Sequence, residues 1–186
     1  MEDSDWNDIQ ACLAGSDDAF ARLVERHERG VARQMWRFSR DPGRCEELVQ
    51  DVFVEAYQSL RTYRGDAPFL HWLRRIATRV GYRFWRERAK DRPRVPLANI
   101  EPIAERRDEV DPAGAGEILD ALLGRLAPDD RLVLTLEYFE ECSMKEIAER
   151  TGWTEDAVKM RAYRARAKLR EIAEREKLLE VLGWTS

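Results

Sequence analysis

The residues best suited to chemistry in this sequence are two groups of basic side chains, each on a predicted helix. In residues 154–170, an apolar stripe recurs every three or four positions, beginning at Val158, and predicts one buried helical face. The other sides of that helix carry Lys159, Arg161, Arg164, Arg166, Lys168 and Arg170. Such a helix suits the major groove of DNA, because arginine and lysine reach guanine edges or phosphates while the apolar face stays in the core.

Capping signals and a glycine place that helix in a helix-turn-helix. Ser143 and Glu146 have the spacing of a capping box, ahead of a short helix that ends at Gly152. Thr154 can cap the helix that follows, and Ala148 leaves room for the two helices to cross closely. Together these residues predict DNA binding; the alternative interpretation is a solvated basic helix.

The second basic group lies on a helix that follows Pro68. Its arginines alternate with aromatic residues, a pattern that suits contact with the DNA backbone and stacking on unpaired bases. The residues are Arg74, Arg75, Arg79, Arg83 and Arg86, with Phe69, Trp72, Tyr82, Phe84 and Trp85. Phe69, Trp72 and Phe84 are expected in the core. The turn of residues 64–68 is a place where an extruded base could dock.

The sequence offers little for catalysis or metal binding. His27 and His71 lie on or beside apolar helical positions, which predicts structural histidines. Cys12, Cys45 and Cys142 are too few and too far apart for a disulfide framework or a zinc site. There is no Gly-rich phosphate loop in the sequence, so we expect no enzyme activity, no cofactor, no metal and no small-molecule substrate.

The charge of this 186-residue chain is unevenly distributed. The total is −4, yet residues 61–94 carry +8 and residues 154–170 carry +4. An acidic total would argue against a nucleic-acid partner, and this division removes the argument.

The longest apolar runs are too short to span a bilayer, and the acidic start does not resemble a signal peptide. We therefore expect a cytoplasmic protein that is not inserted in a membrane.

Apolar periodicity predicts helices along most of the chain. Stripes run through residues 20–38, with Ser16 as a candidate N-cap, through residues 45–60, and after Pro68, and we find no convincing strand pattern. Prolines and glycines mark residues 93–116 as a flexible linker. The predicted fold is all-α, with two small helical domains, residues 1–92 and 117–186, the second containing the helix-turn-helix.

Five stretches together resemble a known family. Residues 47–57 resemble the helix with which its members grip the clamp coiled coil of RNA polymerase, and residues 69–77 resemble the helix that melts and reads the minus-ten element. Residues 126–134, 143–148 and 157–166 resemble the domain that reads the minus-thirty-five element. Their order and spacing resemble the sigma-70 family, and specifically the extracytoplasmic-function (ECF) sigma factors, over residues 17–92 and 117–172.

The resemblance implies roles for particular residues. Polymerase contacts would involve Leu48, Gln50, Asp51 and Phe53. A flipped minus-ten base would be held by Gly65, Asp66, Ala67 and Pro68, with Arg75, Arg79, Arg83 and Arg86 near the strands. Base edges of the minus-thirty-five element would face Lys159, Met160, Tyr163 and Arg164, and its backbone Arg161 and Arg166. Met160 and Ala157 depart from residues common in the family, so the family's promoter preference does not carry over.

The function implied is that of an alternative sigma factor. It would bind core RNA polymerase, direct it to specific promoter DNA and assist melting, with catalysis left to the polymerase. Family members of this size are usually held inactive by an anti-sigma factor, so we expect that partner as well.

Two alternatives stay open at this point. The first is a helix-turn-helix transcriptional regulator that acts without being a polymerase subunit; a response regulator of this kind would need buried strands in its first half, and the sequence shows no such pattern. The second concerns the apolar residues 178–184, which either pack on the second domain or form a docking surface.

Overall fold

The computed structural model describes residues 3–91 and 119–175, and every regular element in those ranges is helical. The first range contains α1 (Asp3–Leu13), α2 (Asp17–Met35), α3 (Pro42–Ser59), a 3-10 helix (Leu60–Thr62) and α4 (Phe69–Asp91). The second contains α5 (residues 119–123), α6 (Pro128–Tyr138), α7 (Met144–Thr151) and α8 (Glu155–Arg175). The all-α prediction is confirmed for these residues, whose helices include none long and apolar enough to cross a membrane.

The chain forms two compact units. The first comprises α1 to α4 as far as Trp85 together with Glu149–Gly152, and the second comprises the other described residues, which include α5, α6 and α8. The predicted linker, residues 93–116, and the apolar residues 178–184 lie outside the described residues. The domain boundaries near residues 92 and 117 therefore stay predictions.

Two helix starts in the first unit are set by the residues before them. Asp41 caps α3, since its Oδ1 accepts a hydrogen bond from the backbone N–H of Arg44 at 2.7 Å, and Pro42 occupies the first turn. Ser16 takes the predicted N-cap position of α2 with extended backbone, but its side chain makes no capping hydrogen bond. Asp17 and Asp18 in the first turn stabilise α2 through the helix dipole instead.

The predicted stripes form the core of the first unit. Their buried side chains include Leu23, Val31 and Met35 of α2, Val49, Val52 and Ala56 of α3, and Leu73, Ile76 and Val80 of α4. Phe69 is buried as expected, whereas Trp72 and Phe84 are only half-buried. Trp85, which the sequence grouped with the DNA-facing aromatics, is buried, and its Nε1 donates to the backbone oxygen of Phe38 at 2.8 Å.

Gly81 lets α4 lie directly against an aromatic ring. A Cβ placed on Gly81 would come within 2.4 Å of Cγ of Phe38, a distance that no real contact allows. The Phe38 ring packs in turn on Trp85, with 4.5 Å between ring centroids. The position of α4, and with it the basic face of that helix, therefore depends on residue 81 being glycine.

α1 is an element that the sequence analysis did not predict. Its Asp8 pairs with two arginines of α2, at 2.7 Å from Nη2 of Arg22 and 2.8 Å from Nη2 of Arg26. Its Asp5 lies 3.0 Å from Nε2 of His27. The two aspartate side chains are 10% exposed, whereas that of Arg22 is 51% exposed, and these contacts hold α1 against α2.

The core of the second unit joins α5, α6 and α8. It is formed by Leu122, Leu123, Leu126, Leu134, Ala165, Leu169 and Ile172. Val158 and Ala162 of α8 are also fully buried, so the predicted apolar stripe of α8 is confirmed. Burial of this face leaves the remaining sides of α8 for solvent or a partner.

Candidate nucleic-acid and partner interfaces

The turn between α7 and α8 has the geometry that its residues predict. Ser143 Oγ accepts from the N–H of Glu146 at 3.2 Å, and Oε2 of Glu146 accepts from the N–H of Ser143 at 2.8 Å. Thr154 Oγ1 accepts from the N–H of Ala157 at 3.2 Å and caps α8. Gly152, with φ +77°, takes the left-handed conformation that glycine adopts without strain. The predicted helix-turn-helix is thus confirmed.

The outer side of α8 presents the residues predicted to face base edges. Met160 and Tyr163 are 56% and 68% exposed, and Lys159 and Arg164 are exposed as well. Lys159 lies 2.7 Å from Glu155, and this hydrogen bond raises the pKa of the lysine, which stays protonated. Arg164 has no carboxylate partner within the described ranges; its Nε donates to the backbone oxygen of Met160 at 3.4 Å, so its terminal nitrogens are free to meet an external acceptor.

Two other arginines of α8 are held by acidic residues of α6. Arg161 pairs with Asp129, and its guanidinium lies 4.4 Å from the ring centroid of Trp153 in a cation–π contact. Arg166 pairs with Glu137 at 2.8 Å and is exposed. Both were predicted to contact the DNA backbone. That role stays a prediction for both residues: Arg166 must give up Glu137 to reach a phosphate, and Arg161 must give up Asp129, a pairing that braces α8 against α6.

The outer side of α4 carries the arginines predicted near the minus-ten strands. All four are exposed: Arg75, Arg79, Arg83 and Arg86. Glu55 of α3 binds two of them, with Oε1 2.9 Å from Nη2 of Arg79 and Oε2 3.3 Å from Nη1 of Arg83. Residues four apart lie on the same face of a helix, so one carboxylate aligns both guanidinium groups. Neighbouring phosphates of a DNA strand could take the place of that carboxylate.

The loop before α4 is folded over a buried tyrosine. Tyr63 Oη donates to the backbone oxygen of Ala67 at 2.6 Å, and the Tyr63 ring packs on Phe69 and Trp72 at 5.6 Å between centroids. Gly65 has φ +79°, which favours glycine. Of the residues predicted to hold a flipped base, Gly65 is half-buried, while Asp66, Ala67 and Pro68 are exposed. The loop presents accessible backbone above a fixed aromatic layer.

The predicted polymerase residues on α3 fall into two groups. Gln50 and Asp51 are exposed, whereas Leu48 and Phe53 are buried in the core. A partner on the outer side of α3 would therefore meet Gln50 and Asp51 but not the side chains of Leu48 and Phe53, which hold the helix in place. Val54, 55% exposed, lies on the same side of α3, three and four residues after that exposed pair.

The histidines and cysteines show no constellation for chemistry. His27 is buried and lies 3.0 Å from both carboxylate oxygens of Asp5, which confirms its structural role, whereas His71 is exposed. Burial raises the pKa of the Cys12 and Cys45 thiols and disfavours the reactive thiolate. Within residues 3–91 and 119–175, no cluster of three or more His, Cys, Asp or Glu side chains is arranged to hold a metal ion.

Two regions of one protein family match the parts of the chain that contain α4 and most of α8, the two basic helices. Sigma-70 region 2 matches residues 23–91, which include α3 and α4, and sigma-70 region 4 matches residues 116–169, which include the helix-turn-helix. The chain belongs to the ECF group of the sigma-70 family of RNA polymerase sigma factors. It functions as an alternative sigma factor that directs RNA polymerase, and the alternative of a regulator independent of polymerase receives no support.

Individual relatives are similar in sequence to this chain along most of their lengths. The ECF RNA polymerase sigma factor SigM of Mycobacterium tuberculosis is 32% identical over 168 residues, covering 90% of this chain and 84% of that protein. CarQ of Myxococcus xanthus, an RNA polymerase sigma factor, is 31% identical and covers 85% of this chain and 91% of its own length. The ECF RNA polymerase sigma-E factor of Escherichia coli K12 is 28% identical, covering 85% and 88%.

Solved structures agree on the fold. CnrH, in complex with the cytosolic domain of CnrY, has a TM-score of 0.60 at 27% identity and covers 92% of this chain and 97% of that one. RpoE of Bartonella quintana, in complex with the anti-sigma factor NepR, has a TM-score of 0.57, covers 83% and 96%, and at 21% identity indicates the fold alone.

Proposed function

We propose that the two units divide promoter recognition between unpaired and paired DNA. α4 and the loop of residues 64–68 hold the melted minus-ten strand, and α8 reads the minus-thirty-five element in the major groove. The observation that carries this division is the concentration of charge. A chain with a total of −4 places +8 in residues 61–94 and +4 in residues 154–170, and the structure exposes arginines on both helices.

The outer side of α3 is the proposed contact with core RNA polymerase. Gln50, Asp51 and Val54 supply a polar and apolar surface on consecutive turns of one rigid helix. Catalysis belongs to the polymerase in this proposal, which needs no cofactor on the sigma factor, and the protein acts in the cytoplasm, where it meets core polymerase and promoter DNA.

A polymerase-dependent transcription assay tests the proposal. Core polymerase with this chain should start transcripts at defined sites on fragments of the source genome, while core polymerase alone should not. The paired change Gln50→Ala and Val54→Ala should weaken binding of the chain to core polymerase, while Tyr138→Ala, an exposed residue of the second unit, serves as the control. Tight promoter binding with no dependence on polymerase would overturn the proposal.

An anti-sigma factor is the further partner that we propose. Its support is the likeness to CnrH, whose solved structure contains the cytosolic domain of CnrY. A tagged chain recovered from its own cells should carry a second protein that dissociates when core polymerase is added and that blocks the transcription assay. Recovery of the chain with core polymerase alone, under growth conditions where its promoters are silent, would contradict this partner.

A further inference from the structure

An aromatic residue from outside the region 2 match lies at the loop of residues 64–68, the proposed base-docking loop. The match begins at residue 23, whereas Trp6 belongs to α1. Its ring lies directly over Gly65: a Cβ on that glycine would be 2.9 Å from Cζ3 and 3.4 Å from Cη2 of Trp6. Residue 65 therefore lacks a side chain for two reasons, its positive φ and the indole above it.

Trp6 is only partly buried by its contact with Gly65. Its residue surface is 37% exposed, although tryptophan is usually well buried when its role is structural. The ring also approaches Tyr63, at 6.4 Å between centroids, and Tyr63 holds the loop through its hydrogen bond to Ala67. One part of the indole thus packs on the loop, and the remainder is open to solvent beside it.

α1 holds Trp6 firmly in this position. Ile9 is fully buried, and Asp8 is bound by Arg22 and Arg26 at 2.7 and 2.8 Å. The hydrogen bond from Arg26 lowers the pKa of Asp8, so the carboxylate is ionised and the pair is intact at neutral pH. An indole fixed before its ligand arrives loses little side-chain entropy on binding.

We propose that Trp6 forms one wall of the base-docking site, and that an unpaired base of the minus-ten strand, seated on residues 65–68, stacks against its exposed ring. This inference rests on the proposed function and adds α1 to the DNA-binding surface. Because every base has a π-face, stacking on an indole contributes affinity without selecting a base. Selection among bases is left to the polar groups of the loop.

The test measures binding of minus-ten strands to holoenzyme. Core polymerase with the full chain, wild type or Trp6→Ala, is titrated with the single non-template strand of a promoter whose start site has been mapped. The same strand is made with an abasic site at each position in turn. Trp6→Ala should weaken binding of the intact strand about tenfold. It should make no difference on the one strand whose missing base is the docked one.

Two variants complete the design. Trp36→Ala is the matched control, because Trp36 is 38% exposed on the same unit and belongs to none of the proposed interfaces; its Kd should not change. Trp6→Phe retains an aromatic face and should recover most of the affinity, which a loss of folding would not allow. Thermal unfolding of each variant checks that the protein is folded.

The outcomes separate the two proposals. The Trp6 assignment is overturned if Trp6→Ala binds the intact strand like wild type, or loses the same factor on every abasic strand. It is also overturned if Trp36→Ala loses as much. If wild-type holoenzyme does not prefer the intact strand to any abasic strand, the proposed minus-ten reading fails instead, whatever Trp6 does.

Discussion

On α4, Arg79 and Arg83 share the single carboxylate of Glu55, whereas on α8 each tethered arginine has an acidic partner of its own. α4 follows the loop of residues 64–68, which packs on buried aromatic rings, while α8 exposes Met160 and Tyr163 at its surface. A melted strand offers flat bases and a flexible backbone, so aligned cations beside an aromatic site suit it. A duplex offers base edges deep in a groove, which only projecting side chains reach.

The largest expected effect distinguishes how the two helices are positioned. Gly81→Ala drives a Cβ into the Phe38 ring and should lower the free energy of unfolding of the first unit by about 2–3 kcal/mol. Gly152→Ala, in the turn before α8, has nothing within 4 Å of the added Cβ and meets only the cost of a positive φ, about 1 kcal/mol. Urea denaturation of both variants measures the difference, and equal losses would contradict it.

Arg164→Ala tests α8 as a reader of paired DNA. If the guanidinium makes a bidentate contact to a base, promoter binding by holoenzyme should fall by about 2 kcal/mol, and more at promoters that carry that base. An equal loss at every promoter would identify a phosphate contact. Arg161→Ala is the contrasting variant: it should lower unfolding stability, because Arg161 is held between Asp129 and Trp153.

Glu55→Gln tests whether the shared carboxylate on α4 competes with DNA. Removing its charge frees Arg79 and Arg83 and should tighten binding of the minus-ten single strand about two- to fivefold, the range of an exposed ion pair. The free energy of unfolding should hardly change, because an exposed ion pair contributes little to it. Glu137→Gln should act on duplex minus-thirty-five DNA instead. A weaker single-strand affinity in Glu55→Gln would show that the glutamate positions the arginines rather than competing with the strand.

The smallest expected effect is a response of α1 to acid. The pKa of Asp8 is lowered from its ordinary 3.8, chiefly by the hydrogen bond from Arg26, so its contribution is complete above that value. The contribution is lost as pH falls through the lower folded pKa. The chain has six tryptophans, so the readout is the part of the acrylamide quenching that Trp6→Phe removes. This part should increase at strongly acid pH, and Asp8→Asn should remove the dependence. Glu155 also has a lowered pKa, but it is exposed, so no matching loss is expected in the second unit.

The parts of the molecule that sequence predicted well are local ones. The capping box of Ser143 and Glu146, the turn at Gly152 and the apolar stripe of α8 each depend on residues a few positions apart. Spacing along the chain therefore contains the information needed. The same holds for the exposed arginines of α4, which lie opposite the buried stripe of that helix.

The parts that sequence did not predict depend on contacts between distant residues. α1 has no strong periodicity of its own and is positioned by ion pairs to Arg22 and Arg26. Leu48 and Phe53 belong to the apolar stripe of α3, so their burial was readable from spacing, although the family resemblance alone assigned them to a partner. Nothing local indicates that Arg161 contacts Asp129 and Trp153, and its contact with the DNA backbone stays a prediction.

The placement of Glu55 has a thermodynamic consequence. It directly follows Val54, so one turn of α3 faces the proposed polymerase surface and also holds the arginines of α4. If polymerase bound at Val54 shifts Glu55, the two binding equilibria are linked through this single residue. By reciprocity, the factor by which polymerase changes the affinity of this unit for the minus-ten strand equals the factor by which the strand changes its affinity for polymerase. Glu55→Gln should move both factors together toward one.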